Sequence, residues 1–502
     1  MAPQSDHDGC TVRMHPHLYE INTWAWLEGQ SRRAGKPVTL GAVSDEEWDK
    51  LHESGFDLVW LMGIWKRSAS GRRIFRTDVN SFALYDTALP GWTLDDVVGS
   101  PYSIQDYVPD PRIGAWSEID AVRRKLHDRN MGLILDFVPN HTGPDHPWIH
   151  SHPECYVQGS LADFRRNPSA FFLAELDDGI RFIARGKDPH FPAWPDTAQL
   201  NYFNPLTRSA MLEILGTISS HCDGVRCDMA MLCLNDVFSK TWGPLIRDSK
   251  TPASEFWPAT IAAFPGFIWI AEAYWDLEWR MQQAGFNFTY DKNLYDLLRD
   301  GSPRSIRQRL KSDLSTQSRM ARFLENHDEV RAISAFGKDK LPAIATIAAT
   351  LPGLRFYHEG QLQGRKLHLP IQLGRAPDEP DDPEVAKLYA RLLQISSHDV
   401  FHQQGWKLLE ASSAGDASYR NLVVYRWQSG RDVRLVVANL GANASQGRIC
   451  LDPPIDASRR YWLSDLLNDK QYEREGKDLV ESGLFVCLEG YRAHIFEISI
   501  RG

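Results

Sequence analysis

No stretch of this 502-residue chain approaches the run of about 20 apolar residues that a membrane-spanning helix requires, so none is expected. Basic charge is also in short supply. The chain carries 56 Lys and Arg against 65 Asp and Glu, for a formal net charge of -9. It has no basic stripe to neutralise a phosphate backbone, and no nucleic-acid partner is expected. Cysteine is sparse, with seven scattered residues. Cys222, Cys227 and Cys233 gather around one predicted strand without the spacing of metal ligands, as expected for reduced, buried thiols in a cytoplasmic protein. Residues 1–8 lack the basic, apolar and small-residue order of a secretory signal, which agrees with a cytoplasmic location, although a mature chain stripped of its leader would read the same way. His146, His150 and His152 match no tight zinc spacing, and no metal is expected there. Gly-rich phosphate loops, a nucleophile elbow, internal repeats and low-complexity tracts are all missing.

What is present is a globular composition, 43% hydrophobic and 24% charged, in a chain long enough for two or three domains with a large barrel among them. Short apolar runs alternate with helical patterns. Residues 17–24, 56–63, 131–136, 223–228, 267–272, 286–290, 321–328 and 353–358 read as eight strands. Residues 44–48 resemble a capped helix start, with Glu47 three positions after a Ser cap, and 117–129 form an amphipathic stretch before the third strand. The rhythm breaks over 142–205, a segment rich in Pro, His, Asp and Trp that is too long for a plain connection. Beyond about residue 397 the texture changes to β-rich segments separated by turns, the pattern of a small antiparallel sandwich. The fold class read from this order is α/β, a (β/α)8 barrel with an excursion after strand 3 and a C-terminal antiparallel β-sandwich. The expected division is 1–141 with 206–396 for the barrel, 142–205 for the excursion and 397–502 for the sandwich.

Four acidic signatures close successive apolar runs: Asp136-Phe137-Val138-Pro139-Asn140-His141, Gly224-Val225-Arg226-Cys227-Asp228, Ile270-Ala271-Glu272-Ala273 and Glu325-Asn326-His327-Asp328. Carboxylates at the exit ends of parallel strands mark the active face of a barrel of this kind. Paired carboxylates are the tools of glycosidic bond cleavage, because the transition state is cationic at carbon and the leaving oxygen needs a proton. Arg226, two residues before Asp228 on one strand face, would depress the pKa of that aspartate and keep it ionised as a nucleophile. Glu272 follows an apolar, aromatic run that would raise its pKa and suit an acid. His327 can bond sugar hydroxyls and Asp328 can stabilise a distorted ring, while Asp136 is placed to orient Arg226 and His141 to donate to a sugar hydroxyl. Taken singly, each motif also fits a structural pair or a solvated strand end.

In order and together, these motifs resemble the α-amylase superfamily of retaining α-glycosidases and transglycosylases, glycoside hydrolase family 13, over nearly the whole chain. The resemblance implies that Asp228 is the nucleophile, Glu272 the acid/base and Asp328 the transition-state stabiliser. It also implies that Arg226, His141 and His327 surround the sugar. By the same resemblance Tyr102 in Ser100-Pro101-Tyr102-Ser103-Ile104-Gln105-Asp106-Tyr107 stacks under that sugar, Asp106 supports the site, and Asp136 and Asn140 hold it together.

Two departures from the family pattern stand out. Met229-Ala230-Met231-Leu232 occupies the place of the Lys-His or His that contacts the leaving part of a glucan in many members. Gln199 stands where an Asp helps bind calcium, and an amide is a poorer ligand for a hard cation, so no calcium and no other cofactor are expected. The function implied is a retaining hydrolase of α-glucosidic bonds acting on a carbohydrate substrate. The rivals are a transglycosylase of the same fold moving a glucosyl or maltosyl unit, and a barrel that only binds sugar.

Overall fold

A computed structural model of the chain describes residues 12–246, 250–451 and 455–501. The stretch 1–8, read above for a leader, lies outside the described residues.

Eight parallel strands close into a barrel: β1 (His17–Asn22), β2 (Leu58–Met62), β3 (Gly132–Phe137), β4 (Gly224–Cys227), β5 (Ile268–Ala271), β6 (Phe288–Tyr290), β7 (Met320–Arg322) and β8 (Leu354–His358). They follow one another around the barrel in chain order. Strands β1 to β4 are buried along their whole length, as expected of strands covered on both faces. Each of the eight runs picked out by sequence therefore overlaps a strand, but two strands end well short of their runs. β1 stops at Asn22, and Thr23 already begins the helix Thr23–Ala34. β7 covers only three residues, and farther along the same run the Asn326 side-chain oxygen accepts the backbone N–H groups of Asp328 and Glu329, both at 2.9 Å. Such a side-chain turn is an alternative to strand pairing for these N–H groups.

The helix expected from residue 44 is present as Asp45–Glu53, but its capping box is not formed. Ser44 makes no side-chain cap bond, and Glu47 instead holds Lys50 at 2.8 Å. Three acidic residues in the first turn complement the helix dipole.

After β3 the chain leaves the barrel. His141–Thr142 pairs antiparallel with Ala198–Gln199, setting Gln199 opposite His141. Between them Gln158–Gly159, Phe171–Leu176 and Gly179–Ala184 form a three-stranded sheet. The C-terminal part packs a six-stranded against a three-stranded antiparallel sheet around its own core, which includes Leu422, Val424, Leu463, Leu484 and Val486. It is fastened to the barrel where the Trp427 indole donates to the Thr350 carbonyl at 2.7 Å.

Barrel register delivers the acidic residues to one rim. Arg226 lies beside Asp136 and Cys227 beside Ala271, so Asp228 and Glu272 emerge one residue beyond adjacent strands. The Asp228 N–H donates to the Phe137 carbonyl at 2.9 Å and the Glu272 N–H to the Cys227 carbonyl at 3.1 Å.

Candidate active site

One guanidinium organises the centre. Arg226 is 1% exposed and its Nη1 donates to Asp228 Oδ1 at 2.9 Å. Its Nη2 forms an ion pair with Glu272 Oε2 at 2.8 Å, and its Nε donates to the Tyr290 hydroxyl at 3.3 Å. The rings of Tyr102 and Trp60 lie 5.2 and 5.3 Å from the cation, a distance that favours it electrostatically. The two carboxylates share this one cation in a buried place, and burial decides their titration. The pKa of Asp228 is raised, because burial outweighs the opposing pull of Arg226. Arg226 lowers it as expected, and what is corrected is the net direction, because burial is the larger effect. Glu272 is raised for the same reason, with Asp228 adding to the effect. A like-charged pair with one cation keeps one proton readily.

The two oxygens of each carboxyl group are unequal. Asp228 Oδ1 is held by Arg226, whereas its buried Oδ2 has no hydrogen-bond partner. Glu272 Oε2 accepts the Met229 N–H at 2.7 Å in addition to its ion pair, and Oε1 accepts only the Tyr274 hydroxyl, at 2.7 Å.

His327 forms the second cluster. Its Nδ1 lies 2.5 Å from Glu20 Oε1, and its Nε2 lies 3.0 Å from Asp328 Oδ2 and 2.8 Å from the Tyr102 hydroxyl. Tyr102 also stacks on the imidazole ring at 5.3 Å. Burial would lower the His327 pKa, but the flanking carboxylates of Asp328 and Glu20 raise it well above the ordinary range. Burial would conversely raise Asp328, and the imidazolium holds it down to about 2.

Of the other residues singled out by sequence, Asp136 is buried at the rim beside Arg226 and meets it through charge, while its hydrogen bonds go elsewhere. Its oxygens accept the Trp60 indole N–H at 3.2 Å and the Gly63 N–H at 2.6 Å, and burial pushes it up to about 7 against the pull of Arg226. His141 is buried and neutral, held down to about 4 by burial, with the Asn140 amide 3.3 Å from its Nδ1. Asp106 is not brought to the site. It lies exposed in the strand Ile104–Pro109, opposite Lys66, because strand alternation turns its neighbour Tyr107 inward and Asp106 to solvent.

The corner where the family resemblance implies calcium does not fit that ion. Gln199 Nε2 donates to Asn140 O at 2.9 Å, Asn140 Oδ1 at 3.0 Å and Leu200 O at 3.0 Å. The amide nitrogen thus occupies the position facing the oxygens that a hard cation would need, and reversing the amide would turn oxygen against oxygen. Among the described residues no group of three His, Cys, Asp or Glu is arranged to hold a metal.

Beside Glu272 opens a cavity of about 490 Å³ lined by Phe191, Met229, Tyr274, Trp275, Lys292 and Asp296, among others. Met229, Trp275 and Asp276 all have left-handed backbone angles, φ 42°, 61° and 61°. Such strain in non-glycine residues persists where the surroundings enforce it and concentrates at functional sites. His190 braces Trp275 edge-on at 4.6 Å, so the excursion supplies part of this wall. Sequence reasoning missed Glu20 and Tyr274. A Glu between the apolar Tyr19 and Ile21 of a strand was a usable signal for the first, whereas nothing local marked the second.

Comparison with known proteins followed the same lines. The family model described as alpha amylase, catalytic domain, matches residues 45–170. Alpha-amylase 3 of Dictyoglomus thermophilum is 26% identical over 296 residues, covering 55% of this chain and 56% of that protein. The alpha-1,4-glucan:maltose-1-phosphate maltosyltransferase 2 of Streptomyces coelicolor is 25% identical over 461 residues, covering 86% of this chain and 61% of that protein. The chain spans about half the length of the first curated relatives it matches. In fold it is similar to the noncanonic maltogenic alpha-amylase AmyB of Thermotoga neapolitana, with TM-score 0.70, 21% identity, and coverage of 97% of this chain and 99% of that one.

Proposed function

From its similarity to the alpha amylase catalytic domain and to Alpha-amylase 3 of Dictyoglomus thermophilum, we propose that this chain is a member of the α-amylase superfamily, a retaining enzyme that cleaves α-glucosidic bonds by double displacement. The observation that carries this reading is the inequality of the two Asp228 oxygens, one held by Arg226 and one buried without a partner. A fixed carboxylate with one free oxygen is an oriented nucleophile. Two carboxyl groups gripped by neighbouring nitrogens of one guanidinium suit the separation of about 5–5.5 Å that retention requires.

Asp228, ionised, attacks the anomeric carbon through Oδ2 while Glu272, carrying the one proton that the pair retains, gives it to the departing oxygen. Oε1 is the oxygen for that task, since Oε2 is engaged by Arg226 and the Met229 N–H. The glycosyl ester on Asp228 is then broken by an acceptor hydroxyl whose proton returns to Glu272. Asp328, ionised beside His327, stabilises the cationic ring in both steps. Tyr102, His141, Arg226 and His327 hold the sugar, and Asp136 and Asn140 support them from behind.

The acceptor is water in the hydrolytic reading. A glycosyl transfer is the second reading, favoured by the cavity beside Glu272, whose Met229, Tyr274 and Trp275 walls suit the apolar face of an acceptor sugar. The same reading assigns no calcium to the corner of Asn140 and Gln199. It places the enzyme in the cytoplasm, a reading supported by the free, buried thiols of Cys155, Cys222, Cys227 and Cys233.

The test is fluoride release from α-glucosyl fluoride by the wild type and by Asp228→Asn, with the first anomer followed by NMR. Release that depends on Asp228 and gives α-glucose first, or an α-glucoside when an acceptor is added, supports the proposal. β-Glucose first, or release undiminished in a folded Asp228→Asn, overturns it.

A further inference from the structure

Glu20 is the one carboxylate in this cluster that the mechanism above leaves without a task. It sits in β1, fully buried at 0% exposure, level with His358 of β8 and Trp60 of β2. Its Oε1 contacts His327 Nδ1 at 2.5 Å, and its Oε2 is buried without a hydrogen-bond partner. A carboxylate so enclosed is costly unless a charge compensates it.

The opposite nitrogen of the same imidazole supplies the argument. Nε2 lies 3.0 Å from Asp328 Oδ2 and 2.8 Å from the Tyr102 hydroxyl. A neutral imidazole has one N–H and would turn a lone pair toward one of the two carboxylates, whereas an imidazolium donates to both. We propose that Glu20 is a positioning residue of the active site, which holds His327 doubly protonated and edge-on to Asp328 so that Asp328 stays ionised and fixed. The part of this proposal that concerns catalysis rests on the role of Asp328 given above.

Other groups around the imidazole do not replace Glu20. Trp60 meets its ring edge-on at 5.6 Å, and Arg226 is paired to Asp228 and Glu272. His368 contacts the His327 carbonyl, at 2.8 Å, and acts on Asp328 by charge without reaching Nδ1. Asp136 and Asp228 interact with the His327 charge from β3 and from the end of β4, and His358 and Tyr290 interact with the charge on Glu20. Among all these, Glu20 alone has its oxygen on Nδ1.

The experiment is NMR of the full chain with isotope-labelled histidine between pH 5.5 and 8.5, the His327 signals being assigned by their loss in His327→Asn. No substrate is needed. In the wild type His327 is expected to remain an imidazolium across the range. In Glu20→Gln, whose amide oxygen can accept from Nδ1 without compensating a charge, His327 should become neutral at least one pH unit earlier, a tenfold change in its protonation equilibrium. The ratio of turnover at pH 8 to that at pH 5.5 should fall by about tenfold with it, carried by kcat rather than KM. Should Glu20→Gln fail to fold, Glu20→Asp keeps the charge and should keep His327 protonated, and the wild-type titration stands alone. A neutral His327 in the wild type at pH 7, or an unchanged titration in a folded Glu20→Gln, overturns the proposal. A protonated, Glu20-dependent His327 in a protein without glucosyl activity would overturn the functional reading and leave the hold of Glu20 on His327 intact.

Discussion

The hydroxyl of Tyr274 donates to Oε1 of Glu272 at 2.7 Å, on the carboxyl oxygen opposite the one bound by Arg226 and the Met229 N–H. Glu272 is therefore held from both sides, and the only oxygen free to carry a proton to a substrate already touches a phenol. A donor to the ionised form of a carboxyl group favours that form. Tyr274 thus opposes the burial that raises Glu272, making the acid readier to release its proton.

Tyr274→Phe follows from this geometry. Loss of the donor removes support from the carboxylate and raises the Glu272 pKa further, so the alkaline limb of kcat/KM should move to higher pH by up to about one unit. Turnover should fall about three- to thirtyfold, with the larger loss for substrates whose leaving group needs protonation. The check is a pH profile with an aryl α-glucoside beside α-glucosyl fluoride. An alkaline limb that stays in place would show that the bond does not act on Glu272.

Trp275 walls the neighbouring cavity in a strained backbone conformation. Removal of its ring in Trp275→Ala should weaken binding of whatever lies beyond the scissile bond. We expect KM for a disaccharide to rise about three- to tenfold, in line with the loss of one stacked ring, while kcat/KM for α-glucosyl fluoride stays within about twofold. An equal loss on both substrates would place Trp275 in support of the carboxylates instead.

Much of this arrangement was legible in the sequence, because strand exits and carboxylates are local features. The runs ending at Asp228 and Glu272 bracket their strands to within a residue or two. What was not legible depended on partners distant in the chain. Asp106 shares its motif with Tyr102, yet strand alternation exposes it opposite Lys66, and Asp106→Ala should leave turnover within about twofold, as for surface substitutions generally. The direction of the Asp228 pKa was missed because the sequence reveals the neighbouring Arg226 but not the burial that outweighs it. Glu20 meets His327 across 307 positions of chain, a contact that only closure of the barrel creates.

The raised Asp228 pKa also links the site to stability. A carboxyl group whose folded pKa lies above its unfolded value contributes stability that is complete below the unfolded pKa and is lost as pH rises through the folded one. The ionised Asp228 is thus a burden at neutral pH. Asp228→Asn, for which loss of turnover is expected, should melt about 1–3 °C higher than the wild type at pH 7.5, and the advantage should vanish near pH 4. A melt series across that range decides it, and a variant less stable at pH 7.5 would show that the Arg226 pairing outweighs burial after all.

The amide of Gln199 carries the last prediction. Its Nε2 faces three acceptors, Asn140 O, Asn140 Oδ1 and Leu200 O, and so stands where a cation would have to sit. Chelation of the protein as purified should therefore leave its melting temperature and turnover unchanged. Gln199→Ala strips the donor from buried acceptors and should cost about 1–3 kcal/mol. Gln199→Glu is the more telling variant. At pH 8 it sets a carboxylate against the same oxygens, so its stability should fall below that of the wild type, and millimolar calcium should restore it by neutralising an oxygen-rich pocket. The wild type should show no such response. A wild type that loses several degrees on chelation and regains them with calcium would mean that a cation, rather than the Gln199 amide, holds Asn140 in place.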